Sequence, residues 1–141
     1  MTSLVVFTRD LRVRDLPALD AAAGSHDPVV PVFVLDQDMS LHAGAANRFA
    51  HLLDSLADLR SSLRARGADL VVRRGDWVDS VVELAGRHGA DTVHLSEDIS
   101  AFAAARTRRL RVAASSQGVD VVEHPGVTVV PPGSIRPSSG G

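Results

Sequence analysis

The sequence predicts an α/β fold: a doubly wound, five-stranded parallel sheet in strand order 3-2-1-4-5, with helices on both faces. Three observations predict it. Five short apolar runs rich in β-branched residues recur along 141 residues. The runs are nearly continuous rather than alternating, as befits strands covered on both faces. Segments of helical periodicity separate them.

The first strand is Ser3–Phe7, SLVVF. A helix follows over Leu16–Ala23, with Asp15 as N-cap, Pro17 in the first turn and Gly24 as stop. Pro28–Asp36 is the second strand. The second helix has the strongest pattern. Phe49, Leu52, Leu53, Leu56, Leu59 and Leu63 form its apolar stripe, and Gly67 ends it. Asp54, Asp58, Arg60 and Arg64 form its solvated face. Ala68–Arg74 is the third strand. A helix from Trp77 to Arg87 follows, capped by Asp76, with Val78, Val81, Val82 and Ala85 inward. Asp91–Ser96 is the fourth strand. The last helix covers Ala101–Gln117, with Phe102, Leu110 and Ala113 inward, and leads to the fifth strand, Val119–His124. The βαβαβαβαβ order makes the sheet Rossmann-like, with its topological switch point between strands 1 and 4. Beyond His124 the composition changes. Four of the seven prolines fall there and the chain runs into Ser and Gly, so 1–125 reads as one domain and 126–141 as a connector to a further domain.

Composition narrows the chemistry. There is no Cys, which excludes disulfides, thiolate metal sites and thiol nucleophiles. All fifteen basic residues are Arg, so there is no Schiff-base or P-loop lysine. The net charge of −2 exerts no global pull on nucleic acid or an anionic membrane. No apolar run reaches membrane-spanning length, and the N-terminus lacks the basic region of a secretory signal. A cytoplasmic protein is expected. GxGxxG, GxxxxGK[ST], GxSxG and HExxH are all absent, so no nucleotide cradle, serine elbow or zinc helix is expected.

Ligands of open α/β sheets bind outside the carboxyl ends of the strands, at the switch point. That rule selects Thr8 and Asp10 after strand 1, Leu35 and Asp36 at the end of strand 2, and Asp98 and Phe102 after strand 4. Arg48, early in the second helix, joins them. Leu35 and Phe102 would wall an apolar slot, Arg48 would offer a planar fork of donors, and the carboxylates would accept from ring N–H groups or hydroxyls. Each has a plainer reading: Asp10 in an ion pair with Arg9 or Arg12, Asp36 in a turn, Asp98 as the cap of the last helix, Arg48 on the surface. The cluster Arg106, Arg108, Arg109 and Arg111 wraps around its helix and reads as a solvated face; Trp77 reads as packing. No catalytic constellation emerges.

VVFTRDLRVRDLPALDAAA (Val5–Ala23) resembles the opening of the DNA photolyase/cryptochrome family, a pattern like [WF]-x-R-D-L-R-x-x-D-N-P-A-L. VVPVFVLD resembles the family's second strand. AANRFAHLLDSLADLRSSLRARGADLVVRRGD resembles its long helix and third strand, LSEDISAFAAARTRR the loop after strand 4, and VTVVPPGSIRPSSGG the start of its connector. The resemblance covers essentially the whole chain. It implies the N-terminal domain that holds a light-harvesting antenna chromophore. FAD and damaged DNA would bind to a downstream helical domain outside this chain, so the chain alone would neither bind FAD nor repair DNA. It implies no membrane partner; a fragment with its docking face uncovered is expected to self-associate.

There are departures. Leu16 replaces an Asn, Thr8 a common Arg, and Ala101-Phe102-Ala103 a Pro-Tyr-Gly-like run. Folate-binding members place an Asn–Glu pair near Phe102 and Ala103, which cannot make those hydrogen bonds. Deazaflavin-binding members are similar in having an Arg at Arg48 and an Asp near Asp98. The resemblance therefore implies 8-hydroxy-5-deazaflavin first, FMN second and methenyltetrahydrofolate third. The same domain of a blue-light sensor of the cryptochrome type, or a stand-alone nucleotide-binding module, are the alternatives.

Overall fold

The computed structural model describes residues 2–8, 11, 13, 16–24, 28–35, 45–98 and 100–125, and for 45–49 the backbone alone. The elements are β1 (Thr2–Phe7), α1 (Pro17–Gly24), β2 (Val29–Leu35), α2 (Ala45–Ala65), β3 (Val71–Arg74), α3 (Trp77–Arg87), β4 (Ala90–Ser96), α4 (Ala101–Ser115) and β5 (Asp120–His124). The sheet runs β3-β2-β1-β4-β5, every pairing parallel, as the sequence predicts.

Side chains alternate across a strand, so each inner strand feeds two cores. Leu4 and Val6 of β1 join Val32 and Val34, Val93 and Leu95 beneath α3 and α4. Val5 and Phe7 join Phe33 and Leu35 beneath α1 and α2. The edge strands are only half covered, and Val72 and Val122 face outward from them. In α2, Leu56, Leu59 and Leu63 are buried while Leu53 is exposed, so the stripe is narrower than its spacing predicts. The side chain of Phe49 lies outside the described residues.

Element ends depart from the sequence reading for local reasons. The first helix begins one residue later than expected: Leu16 supplies the carbonyl that accepts from the Asp20 N–H at 3.0 Å, and the expected cap, Asp15, lies outside the described residues. β3 begins at Val71 rather than Ala68. The chain is still leaving α2 there: Ala68 N–H donates to the Leu63 carbonyl at 3.0 Å, and Arg60 Nη2 donates to the Leu70 carbonyl at 3.1 Å. Arg60 and Arg64 also clamp the Asp69 carboxylate, at 3.0 and 3.1 Å, so they are anchors as well as solvated charges. That grip, from Arg64 most of all, holds the Asp69 carboxyl below its ordinary range. Likewise β5 starts at Asp120, because Val119 N–H still bonds the Ala114 carbonyl at 2.9 Å, and α4 ends at Ser115.

α3 occupies the span the sequence predicts. Asp76 Oδ2 accepts from the Asp79 N–H at 2.9 Å, the expected cap. The turn into it passes through Gly75 at φ +143, a conformation that side-chain-bearing residues rarely adopt. Gly75 N–H donates to the Leu35 carbonyl at 3.0 Å, tying the ends of β2 and β3 together.

Candidate functional site

The topology brings the carboxyl ends of β1, β2 and β4 to one edge, with the N-termini of α3 and α4 beside them. Thr8 leaves β1 there, half-buried. Leu35 closes β2, but its side chain belongs to the core beneath α1 and α2 and offers little free surface. Asp10 and Asp36 lie outside the described residues, and Arg48 is described by its backbone alone, in the first turn of α2.

The segment after β4 differs from its sequence reading in two ways. Asp98 does not cap α4. Its Oδ1 accepts from the Ser100 N–H at 2.9 Å, and Ser100 Oγ accepts from the Ala103 N–H at 3.1 Å. Ser100 is therefore the N-cap, and Asp98 orders the turn that places it. Phe102 does not point inward. It is 64% exposed, because Ala103, Thr107, Leu110 and Ala114 already fill the inward face of α4. Ala113 packs against the core from a partly buried position.

Arg106 is likewise no simple member of a solvated face. Its guanidinium lies 4.1 Å from the ring centroid of Trp77 and 5.3 Å from that of Phe102. Trp77 itself is 3% exposed, in keeping with packing, and one side of Phe102 is backed by a cation. The Phe102–Arg106 half of this arrangement was legible as an i, i+4 pair; Trp77, on another helix, was not. Arg111 departs too: it bonds the Val121 carbonyl at 2.6 Å and Glu123 Oε1 at 2.9 Å, pinning β5 beneath α4.

One pair went unforeseen. His94 Nδ1 and His124 Nε2 are 2.9 Å apart across β4 and β5. The ring centroids are 5.1 Å apart and the planes differ by 26°. The centroid separation exceeds the nitrogen separation by about two ring radii, so the nitrogens lie between the rings, which meet edge to edge. One ring donates and the other accepts. Burial, and then the neighbouring His124, push the His94 pKa below the ordinary imidazole value, with Asp91 opposing. Only the β4–β5 register, His94 opposite Val122 and Ser96 opposite His124, puts the rings within reach.

Among the described residues no cluster of three or more His, Cys, Asp or Glu could hold a metal, and no helix is long and apolar enough to cross a membrane. Among the described residues a groove lies between α2 and β3, lined by Leu53, Leu56, Arg60 and Val72 among others, and it includes none of the residues singled out at the carboxyl edge.

Known proteins resemble this chain throughout. The family model for DNA photolyase matches residues 3–141. A deoxyribodipyrimidine photo-lyase of Streptomyces griseus is 42% identical over 141 residues, covering 98% of this chain and 31% of the relative. A cryptochrome DASH of Natronomonas pharaonis is 40% identical over 99 residues, covering 66% of this chain and 21% of that protein. Among solved structures, an archaeal photolyase from Sulfolobus tokodaii superposes with TM-score 0.81 at 26% identity, covering 93% of this chain and 31% of that one. That structure holds two FAD molecules and is described as implying a novel light-harvesting cofactor. The chain thus spans about a third or less of the length of these relatives.

Proposed function

The chain belongs to the DNA photolyase family, as its N-terminal α/β domain, and from that premise we propose that it holds a light-harvesting chromophore at the carboxyl edge of its sheet. The chromophore's contribution is to absorb light and pass the energy on. The receiving flavin, and the pyrimidine-dimer repair it would drive, belong in this reading to a downstream FAD-binding domain. Residues 1–125 form the antenna unit and 126–141 begin the connector.

The observation that carries the reading is the exposed Phe102 ring at the switch-point edge, in a chain similar throughout to photolyases. A flat ring system with a polar rim needs an apolar face and a few fixed polar groups. Phe102 supplies a face and Asp98 an acceptor. Thr8, Asp10, Leu35, Asp36 and Arg48 complete the proposed lining. The presence in the sequence of both an Arg at position 48 and an Asp at position 98 favours 8-hydroxy-5-deazaflavin over FMN and methenyltetrahydrofolate. The Sulfolobus tokodaii relative, with its second FAD, supports a flavin-class ring in general.

Fluorescence titration of the three chromophores against wild type and Arg48→Ala tests this. The expected order is deazaflavin, FMN, folate. Arg48→Ala should weaken deazaflavin binding by about one to two decades, the loss of one charge-assisted hydrogen bond of roughly 1.5–3 kcal/mol. Tightest binding of folate, or an Arg48→Ala variant that binds like wild type, refutes the assignment. The similarity to a cryptochrome DASH keeps a blue-light sensor as the second reading; a dimer-repair assay on the full-length protein separates the two.

A further inference from the structure

Indole, phenol and thiol side chains are the ones that most readily give an electron to an excited ring system. This sequence holds no Tyr, no Cys and one Trp. That Trp77 opens α3 at the carboxyl edge of the sheet, the same edge where Phe102 lies in the first turn of α4. The guanidinium of Arg106 stands against both rings, 4.1 Å from the Trp77 centroid and 5.3 Å from that of Phe102.

A guanidinium is charged at every pH a folded protein tolerates. Over a neutral indole it is attracted to the negative face of the ring. If the indole loses an electron, the ring becomes positive, and the same contact sets two positive charges against each other. Trp77 is 3% exposed, so little water is present to screen them. The contact therefore favours reduced Trp77 and disfavours its oxidised form.

We propose that Arg106 makes Trp77 a poor electron donor, so that an excited ring seated near Phe102 keeps its energy instead of taking an electron from the chain's only indole. The suppressed step is a single electron leaving the Trp77 π system for an excited flavin-class ring, which is the oxidant; no bond or proton need move. The shielding of a bound chromophore rests on the antenna reading above. The effect of Arg106 on Trp77 does not, and it is measurable with the chain alone.

The test is laser-flash oxidation of Trp77 by a freely diffusing photoexcited oxidant outside the flavin class, triplet benzophenone-4-carboxylate, followed through the indolyl radical. The variants are Arg106→Met, which keeps the length and cover without the charge, and Arg106→Lys, which keeps the charge. The Trp77 emission maximum reports burial and far-UV circular dichroism reports folding. The expected result is at least about tenfold faster oxidation in a folded Arg106→Met with an unshifted emission maximum, equivalent to about 1.4 kcal/mol, and a near-wild-type rate in Arg106→Lys. An Arg106→Met rate equal to wild type overturns the proposal. So does equal acceleration in both variants, which would make cover rather than charge the cause. If Arg106→Met does not fold, Arg106→Gln, neutral but still a hydrogen-bond donor, decides on the same criteria. With deazaflavin added, Arg106→Met should shorten the emission lifetime of the bound chromophore; an unchanged lifetime overturns the shielding. Failure of deazaflavin, FMN and folate alike to bind would refute the antenna reading and leave the Trp77 result standing.

Discussion

Acidification from about pH 7.5 to about pH 5.5 should loosen the joint between β4 and β5, and the His94–His124 contact sets by how much. His94 is half-buried and its pKa lies below the ordinary imidazole value of 6.5. A base whose folded pKa is depressed binds its proton more readily when unfolded. Its stabilising contribution is therefore complete above pH 6.5 and is lost as the pH falls below it. One proton sets a ceiling of about 1.4 kcal/mol for the single pH unit from 6.5 to 5.5. His94 keeps partial contact with water, which screens the effect, so we expect about 0.5–1 kcal/mol. In a domain of this size that corresponds to a fall in Tm of roughly 2–4 °C. The assay is thermal unfolding at both pH values in wild type and in His94→Gln. The acid-induced fall should be smaller in the variant by about the stated amount. An identical fall in the two proteins, or a wild type that gains stability on acidification relative to the variant, would refute the argument.

Three further outcomes are expected, each read from the urea midpoint. Asp76→Ala removes the oxygen that accepts from the Asp79 N–H at the start of α3 and should cost about 1 kcal/mol. Leu59→Ala empties a position 1% exposed beneath α2 and should cost about 2–5 kcal/mol, in a cavity that α2 cannot fully close. Gly75→Ala meets no clash, since the nearest atom to the added carbon is Ser80 Oγ at 3.5 Å. The strain at φ +143 alone should then cost about 1–3 kcal/mol; a neutral result would show that the turn has another conformation to adopt.

The architecture was largely legible because its signals are local and redundant. Runs such as SLVVF and VVPVFVL announce buried strands, Leu56, Leu59 and Leu63 announce one helix face, and Asp76 marks the start of α3. What was not legible depends on contacts between elements. Phe102 reads as core by its type, yet small residues at Ala103 and Ala114 had already filled the inward face of α4. Asp98 reads as a cap until Ser100, two residues on, is seen to be the better-placed acceptor. The partnership of Arg106 with Trp77 joins two helices, and that of His94 with His124 joins two strands, so neither pair has a spacing in the sequence to reveal it.

The strand order also has a consequence in time. β1 leaves the ribosome before the other four strands of this sheet, yet it is the centre of the finished sheet, paired on one side with β2 at Ser3–Val29 and on the other with β4 at Thr2–Ala90. Translation at about 5–20 residues per second puts roughly 4–18 s between the emergence of Thr2 and that of Ala90. Val5 and Phe7 can be covered early, by α1 and then α2. Leu4 and Val6 must wait for α3 and α4, on a strand whose second edge is still open. For those seconds the nascent chain is a half-built sheet with one finished side, and mutations that slow the arrival of β4 should lower soluble yield even where they leave the stability of the completed domain unchanged.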